Sequence, residues 1–207
     1  MINNKWLVSS FIALIMVLGF SIDSKPAQAN EQVNLQEQTV ISIQDKLRSM
    51  NYLNSVSTGH YGPLTTEAVR QFQADFGLAA DGVAGPATIA RLDEVTSIAQ
   101  VVYGEARGES YEGQVAVAAV IKNRIESPEF PSSASGVIHQ VNAFTAVQDG
   151  QYYLAPDATA FQAVKDAWNG WDPSAGANYY YNPVDATSSW IFTRTPRLSI
   201  GKHVFAD

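Results

Sequence analysis

Within TSIAQVVYGEARGESYEGQVAVAAVIKNR, residues 96–124, Glu105 is the side chain best placed for acid–base chemistry. Ile98, Val101 and Val102 fall at i, i+3 and i+4, which predicts a short helix with one apolar face. Gly104 interrupts that pattern and sets Glu105 at the helix end. Ser110 offers an N-cap, with Glu112 in the first turn, for a second helix that is apolar from Val115 to Ile121 and so buried nearly all round. A carboxyl where one helix ends against a packed apolar one loses hydration and tends to keep a proton near neutrality, as a general acid must. By spacing alone, Glu105, Glu109 and Glu112 read equally well as solvated charges or capping partners. Glu109, Glu112, Asp149 and Asp172 are the available second carboxylates, and nothing in their spacing pairs one with Glu105. The chain has no cysteine, so it has neither a thiol nucleophile nor disulfides. His60, His139 and His203 are scattered without metal-ligand spacing and read as ordinary surface or core histidines; no metal site and no cofactor are expected.

The elements that must position Glu105 follow from the rest of the pattern. Asp157 to Asn169 reads as an amphipathic helix with Ala160, Phe161, Val164, Ala167 and Trp168 inward, ended by Gly170. The segment 128–133 ends the buried helix, and Gly136 to Gln140 fits either a short helix or a short strand. AFTAVQDGQ, with Phe144, Thr145, Val147 and Gln148, reads as a β-ribbon or lining segment beside a groove, or as a plain hairpin edge. In NGWDPSAGANYYYNP, Tyr179 and Tyr181 share one face of an extended segment and Tyr180 the other, so at least one borders solvent. The alternative is a tyrosine-rich strand packed for stability alone. Trp190 and Phe192 alternate in the next apolar run and are expected to pack.

Toward the N-terminus, MINNKWLVSSFIALIMVLGF followed by Ala27-Gln28-Ala29 has the form of a secretory signal peptide, residues 1–29, and is short for a membrane span. The mature chain is therefore expected outside the cytoplasmic membrane, with no stable transmembrane span after processing. Asn30 to Gln38 reads as a polar lead-in and Thr39 as the start of a helix. TEAVRQFQADFG and ATIARL read as two more helices, the last closing near Leu92. Between them G-x-x-G-P-x-T occurs twice, at Gly59–Thr65 and Gly82–Thr88; the proline presets a helix start and the threonine is expected to cap it. Asp93-Glu94 is expected to be a very short linker. The net charge of −7 and the lack of a basic stripe argue against nucleic acid as a partner.

Two family resemblances add to this. VISIQDKLRSMNYL through FQADFGLAADGVAGPATIARL is similar to the three-helix peptidoglycan-binding domain, through Leu47, Tyr52, Gly59, Thr65, Phe72, Gly82 and Pro86 among others. YGEARGESYEGQVAVAAVIKNR closely resembles the start of the catalytic domain of the spore cortex-lytic, cell-wall hydrolase family. AFTAVQDGQ, NGWDPSAGANYYYNP and GKHVF extend that likeness from about Val95 to Asp207. The family carries Pro or Gly near the position where this chain has Val141-Asn142. The implied fold is mainly α: a peptidoglycan-binding module over 39–93, then an α+β catalytic domain of lysozyme or lytic-transglycosylase type over 95–207.

The resemblance implies a lytic transglycosylase in which Glu105 alone serves as acid and then base. It cleaves the bond between N-acetylmuramic acid and N-acetylglucosamine and leaves 1,6-anhydromuramyl ends, in spore cortex during germination. Phe144, Thr145, Gln148, Tyr179, Tyr180, Tyr181 and Asn182 are the expected substrate contacts, with tyrosine rings stacking on sugars and the Asn182 amide matching an N-acetyl group. In the small module, Asp81 and the region of Tyr61 lie near the family's ligand groove. Arg194, Arg197, Lys202 and His203 make the C-terminal end basic, suited to an acidic wall peptide. The expected partner is peptidoglycan, of cortex or vegetative wall, and there is room for a regulatory protein. The alternatives are a vegetative wall-remodelling muramidase, a noncatalytic wall-binding protein, and an amidase or peptidase, whose cysteine or histidine-rich site is missing.

Overall fold

A computed structural model describes residues 26–207, with side chains from residue 36 onward, so residues 1–25 of the expected signal peptide lie outside the described residues. Seven α-helices run in order: α1 Pro26–Ser49, α2 Pro63–Asp75, α3 Pro86–Ala106, α4 Tyr111–Glu126, α5 Ala134–Ile138, α6 Thr145–Gln148 and α7 Ala158–Trp168. Three short strands follow: β1 Tyr179–Tyr181, β2 Pro196–Ile200 and β3 His203–Ala206. They form one antiparallel sheet in the order β1-β3-β2, with Tyr180 opposite Phe205 and a register shift between Pro196 and Leu198.

The N-terminal three-helix unit is organised by two buried glutamines. The Gln44 side chain donates to Thr65 Oγ1 at 2.9 Å and to the His60 carbonyl, and accepts from the Thr58 and Gly59 N–H groups. Gln73 repeats the device one loop later, donating to Thr88 Oγ1, the Val83 carbonyl and Asp81, and accepting from Gly82 N–H at 2.8 Å. The two threonines of the repeat are therefore buried anchors, not helix caps. Each proline still begins its helix, behind an extended glycine. Tyr61 fastens the loops together, its hydroxyl donating to the Gly82 carbonyl and accepting from Ala84 N–H.

Three expectations about helix boundaries are corrected. The polar lead-in is helical, because α1 starts at Pro26. The helix over ATIARL does not close near Leu92, and Asp93-Glu94 is not a linker. Instead α3 runs unbroken from Pro86 to Ala106, because Leu92, Val95, Ile98, Ala99, Val101 and Val102 continue one buried face. Gly104 lies inside this helix and does not break it. The three-helix unit also leans on α7: Lys165 pairs with Asp75 at 2.7 Å and lies over the Tyr52 ring, and the Tyr52 hydroxyl donates to Asp75.

Helix α4 is buried from Val115 to Ile121, as its composition requires, and is capped by Ser110, whose hydroxyl accepts from Gly113 N–H. Helix α7 is capped by Asp157 and buries Ala160, Phe161, Val164 and Ala167. The residues 136–140 belong mostly to α5, a short helix. AFTAVQDGQ is neither ribbon nor hairpin edge: it carries the single turn α6.

Replacing Gln73 by Leu strands the Gly82 N–H in the interior, while the Val83 carbonyl keeps its bond from Gly85 N–H. The expected cost is about 2–4 kcal/mol, read as a lower urea midpoint, with the loop at Asp81 becoming exchangeable.

Candidate active site

Glu105 is the penultimate residue of α3 and is half-buried. Its Oε1 accepts from the backbone N–H of Ala146 at 2.6 Å and from Thr145 Oγ1 at 2.9 Å, both at the start of α6. The first N–H groups of a helix lack intrahelical partners, so a carboxylate there meets ready donors. Its surroundings are thus polar on one side and aromatic on the other, not uniformly apolar. The contact depends on Gly104: a Cβ there would lie 2.5 Å from the Ala146 Cβ, so only glycine lets α6 press against α3. Ahead of α6, Asn142 adopts φ +63°, a left-handed turn that asparagine tolerates.

The opposite wall is β1. Tyr180 faces Glu105, its hydroxyl buried and at the margin of hydrogen-bond geometry. Burial first, then the Glu105 charge, pushes its pKa well above the ordinary phenol value, while Arg124 opposes the shift. Tyr180 therefore remains a proton donor toward the carboxylate. Arg124 is itself buried, with 6% of its surface exposed. Its Nε donates to the Asn178 carbonyl at 2.7 Å, and its guanidinium lies over the rings of Phe130, Phe144 and Tyr179 at 5.4, 5.1 and 5.5 Å. Desolvation lowers its pKa, and electrostatic interaction with Tyr180, Tyr179 and the Glu105 carboxylate counters that.

The polar end of α4 does the positioning. After the apolar run, Lys122 donates to the Ala167 carbonyl on α7, Asn123 binds Asp172 and the Ala177 carbonyl, and Arg124 holds Asn178. Three consecutive residues thereby place β1 opposite Glu105. Arg124 and His203 belong to this wall; Arg124 was not singled out from the sequence, its signal being a basic residue closing an apolar helix, and His203 reads there only as an ordinary histidine in a basic C-terminal end. His203 opens β3, is buried, packs 5.0 Å from the Tyr180 ring, and leaves Nδ1 without a hydrogen-bond partner. His60 and His139 are exposed.

The other expected contacts divide. Thr145 bonds Glu105, and Phe144 before it is buried against Arg124 and Tyr180. Gln148 is exposed and bonds Asn142. Tyr179 and Tyr181 are half-buried on the outer face of β1, opposite Tyr180, as the alternation requires. The Asn182 side chain donates to Asp185 and accepts from Val184 N–H within its own turn, which leaves one N–H and one lone pair of the amide. Of the basic C-terminal residues, Arg197 pairs with Asp207.

None of the four further carboxylates serves as a partner to Glu105. Glu109 accepts from Lys202 N–H at 3.0 Å and clamps the β2–β3 turn, where Gly201 at φ +57° has no space for a side chain. Glu112 is exposed in the first turn of α4. Asp149 accepts from the Gln151 N–H and amide. Asp172 takes bonds from Ser174, Asn123 and Gly176 and folds its own loop. Among the described residues no cluster of three His, Cys, Asp or Glu side chains is arranged to hold a metal ion.

Comparison with known proteins meets this geometry. Residues 108–206 match the Cell Wall Hydrolase family, beginning just past Glu105, and residues 36–92 match the peptidoglycan binding domain family. A spore cortex-lytic enzyme of Bacillus cereus is 39% identical over 95% of this chain and 94% of its own length. The chain belongs to the spore cortex-lytic enzyme family. Another member, from Halalkalibacterium halodurans, is 60% identical over 56% of this chain and 35% of its own length. The solved catalytic domain of the germination-specific lytic transglycosylase SleB from Bacillus anthracis is 57% identical, covering 56% of this chain and 94% of that domain, with a TM-score of 0.54. The mainly helical fold with a small sheet is that of this family.

Two outcomes follow from the site. Gly104→Ala should push α6 off α3, break the Ala146–Glu105 bond and slow lysis of sacculi about tenfold or more. Overpacking should cost about 1–3 kcal/mol in an unfolding titration. Burial lowers the His203 pKa below 6.5, against the pull of Glu109 and Glu105. The unfolded chain then binds this proton first, so stability is full above pH 6.5 and declines as pH falls through the folded-state value. His203→Phe should flatten that slope in unfolding measurements from pH 6.5 down to about 5.

Proposed function

We propose that this chain is a peptidoglycan lytic transglycosylase with Glu105 as its single acid and base. Supporting this is one arrangement: Glu105 has one oxygen tied to α6, the other without a hydrogen-bonding partner of good geometry, and no second carboxylate free to face it among the described residues. Hydrolytic glycosidases ordinarily need two such groups. In the proposed reaction the Glu105 carboxyl gives its proton to O4, the oxygen joining muramic C1 to N-acetylglucosamine C4. The C1–O4 bond breaks, and the glucosamine leaves with a hydroxyl. The muramic C6 hydroxyl then attacks C1, its proton passes to the Glu105 carboxylate, and a 1,6-anhydro ring closes. Atoms balance without water.

Phe144, Tyr180 and Arg124 form the wall that fixes Glu105, and Thr145 holds its oxygen; Gln148, Tyr179 and Tyr181 lie within reach of a bound glycan. The three-helix unit over 39–93 anchors the enzyme to the polymer, and 95–207 carries the chemistry. The leader over 1–29 places the enzyme outside the cytoplasmic membrane, in the wall or beside the cortex. The substrate class is peptidoglycan, with spore cortex at germination as the natural target, in keeping with what the relatives are named for.

Mass spectrometry of digested sacculi tests this. Wild type should release anhydromuramyl termini from cortex, and Glu105→Gln should lose at least roughly a hundredfold in rate while retaining its fold. Reducing termini in their place would make the enzyme a hydrolytic muramidase, and an unchanged rate in Glu105→Gln would make Glu105 a bystander.

A further inference from the structure

Strand β1 turns Tyr180 inward and Tyr179 and Tyr181 to the other face; the Tyr179 ring lies 5.9 Å from that of Phe130 and 5.5 Å from the Arg124 guanidinium, and both tyrosines stay half-buried. The chain beyond the strand folds back over that face. The Trp190 ring sits 5.3 Å from that of Tyr179, and the Phe192 ring 5.4 Å from that of Tyr181, both nearly perpendicular. The expectation that Trp190 and Phe192 pack holds on one side only: each meets a tyrosine ring, but the two keep 50% and 51% of their surface in solvent, with Ile191–Thr193 forming a 3-10 turn.

The Arg194 guanidinium lies 4.5 Å above the Trp190 ring and 5.8 Å from that of Tyr179. Its Nε is buried without a hydrogen-bond partner, and it forms no ion pair among the described residues. Single exposed apolar residues are ordinary, but two adjacent pairs of touching rings, one of them beside a guanidinium that bonds only the Thr193 hydroxyl and has no carboxylate partner, are a built surface. Its chemistry is specific. A pyranose presents an apolar face of C–H groups that stacks on aromatic rings and a hydroxyl rim that meets their polar tips. A guanidinium over such a stack matches a carboxylate carried by the sugar.

The surface also connects with the acid. Strand β1 is an edge strand, bonded only to β3, so a chain lying on its outer face can pass over its open edge toward Glu105. We propose that Tyr179, Tyr181, Trp190, Phe192 and Arg194 form a ledge that holds the glycan beyond the two sugars joined at the scissile bond. Arg194 receives the carboxylate of a muramic lactyl or stem-peptide group. The ledge rests on the proposed function for its substrate, and it sets a preference for long strands over short ones.

The test uses the full chain carrying Glu105→Gln, so that no glycan is consumed. Peptide-free strands of alternating N-acetylglucosamine and N-acetylmuramic acid are titrated as tetrasaccharide and as longer polymer, with calorimetry and tryptophan fluorescence as readouts. Long strands should bind about tenfold more tightly than the tetrasaccharide, and adding Trp190→Ala should erase that preference, while Trp190→Phe retains it. Arg194→Gln should weaken muramic strands but leave chitin oligosaccharides, which lack the lactyl carboxylate, unaffected. A folded Trp190→Ala variant that keeps the length preference overturns the ledge. So does self-association that Trp190→Ala abolishes in sedimentation, since the face would then belong to a second copy. Reducing termini from the wild-type enzyme would defeat the transglycosylase reading alone, because the ledge is judged on binding by the inactive variant.

Discussion

A helix of 21 residues extends about 32 Å at 1.5 Å per residue, and α3 uses that whole length to serve two units at once. Its first turns close the three-helix bundle over Leu92, and its last turn carries Glu105. A helix cannot bend sharply without a proline, a bulge or an inserted group, and between Asp93 and Gly104 α3 has none. The acid is therefore held at a set distance and rotation from the bundle. The Lys165–Asp75 pair and the Tyr52 ring close the same joint from the side. Flexible tethering, the ordinary expectation for two modules in one chain, is replaced here by shared backbone.

Around that rod, polar side chains placed inside the protein do most of the specifying. Gln44 and Gln73 each tie a following loop through both ends of one amide. Lys122, Asn123 and Arg124 do the same for α7, the loop at 172–177 and the strand β1. Buried polar groups are costly when unmatched and rigid when matched, so these few residues fix where apolar packing alone would leave freedom to slide. Arg124 is the extreme case, a cation with three aromatic faces and one carbonyl in place of a carboxylate partner. Cation–π contacts in a desolvated setting make that tolerable, and they leave its charge directed in part at Glu105.

Much of the fold was legible because its signals are local. The apolar run of α4, the Ser110 and Asp157 caps, the proline helix starts and the alternation of Tyr179, Tyr180 and Tyr181 each depend on neighbours a few residues away. Glu105 could be chosen from the helix it ends and from family likeness. Where local signals misled, a distant contact had overruled them. Gly104 looked like a helix breaker, yet it is a notch for Ala146, forty-odd residues on. Thr65 and Thr88 looked like caps and became receivers for glutamines from preceding helices. Asp93 looked like linker, but the buried face of α3 continued past it.

The amino-acid sequence by itself determined where helices α2, α4 and α7 lie, which faces are apolar, that thiol chemistry is absent, and which glutamate stands at a helix end. Those properties follow from side-chain type and short-range spacing, which any conformation of the chain must respect. The tertiary structure alone decided what faces that glutamate: a backbone N–H from α6, a buried phenol from β1 and a guanidinium from α4, brought together across 19 to 75 positions of sequence. It decided too that Trp190 and Phe192 each meet a tyrosine of β1 on one side and solvent on the other. Contacts of that range come from the summed packing of every element, and no single stretch of sequence encodes them.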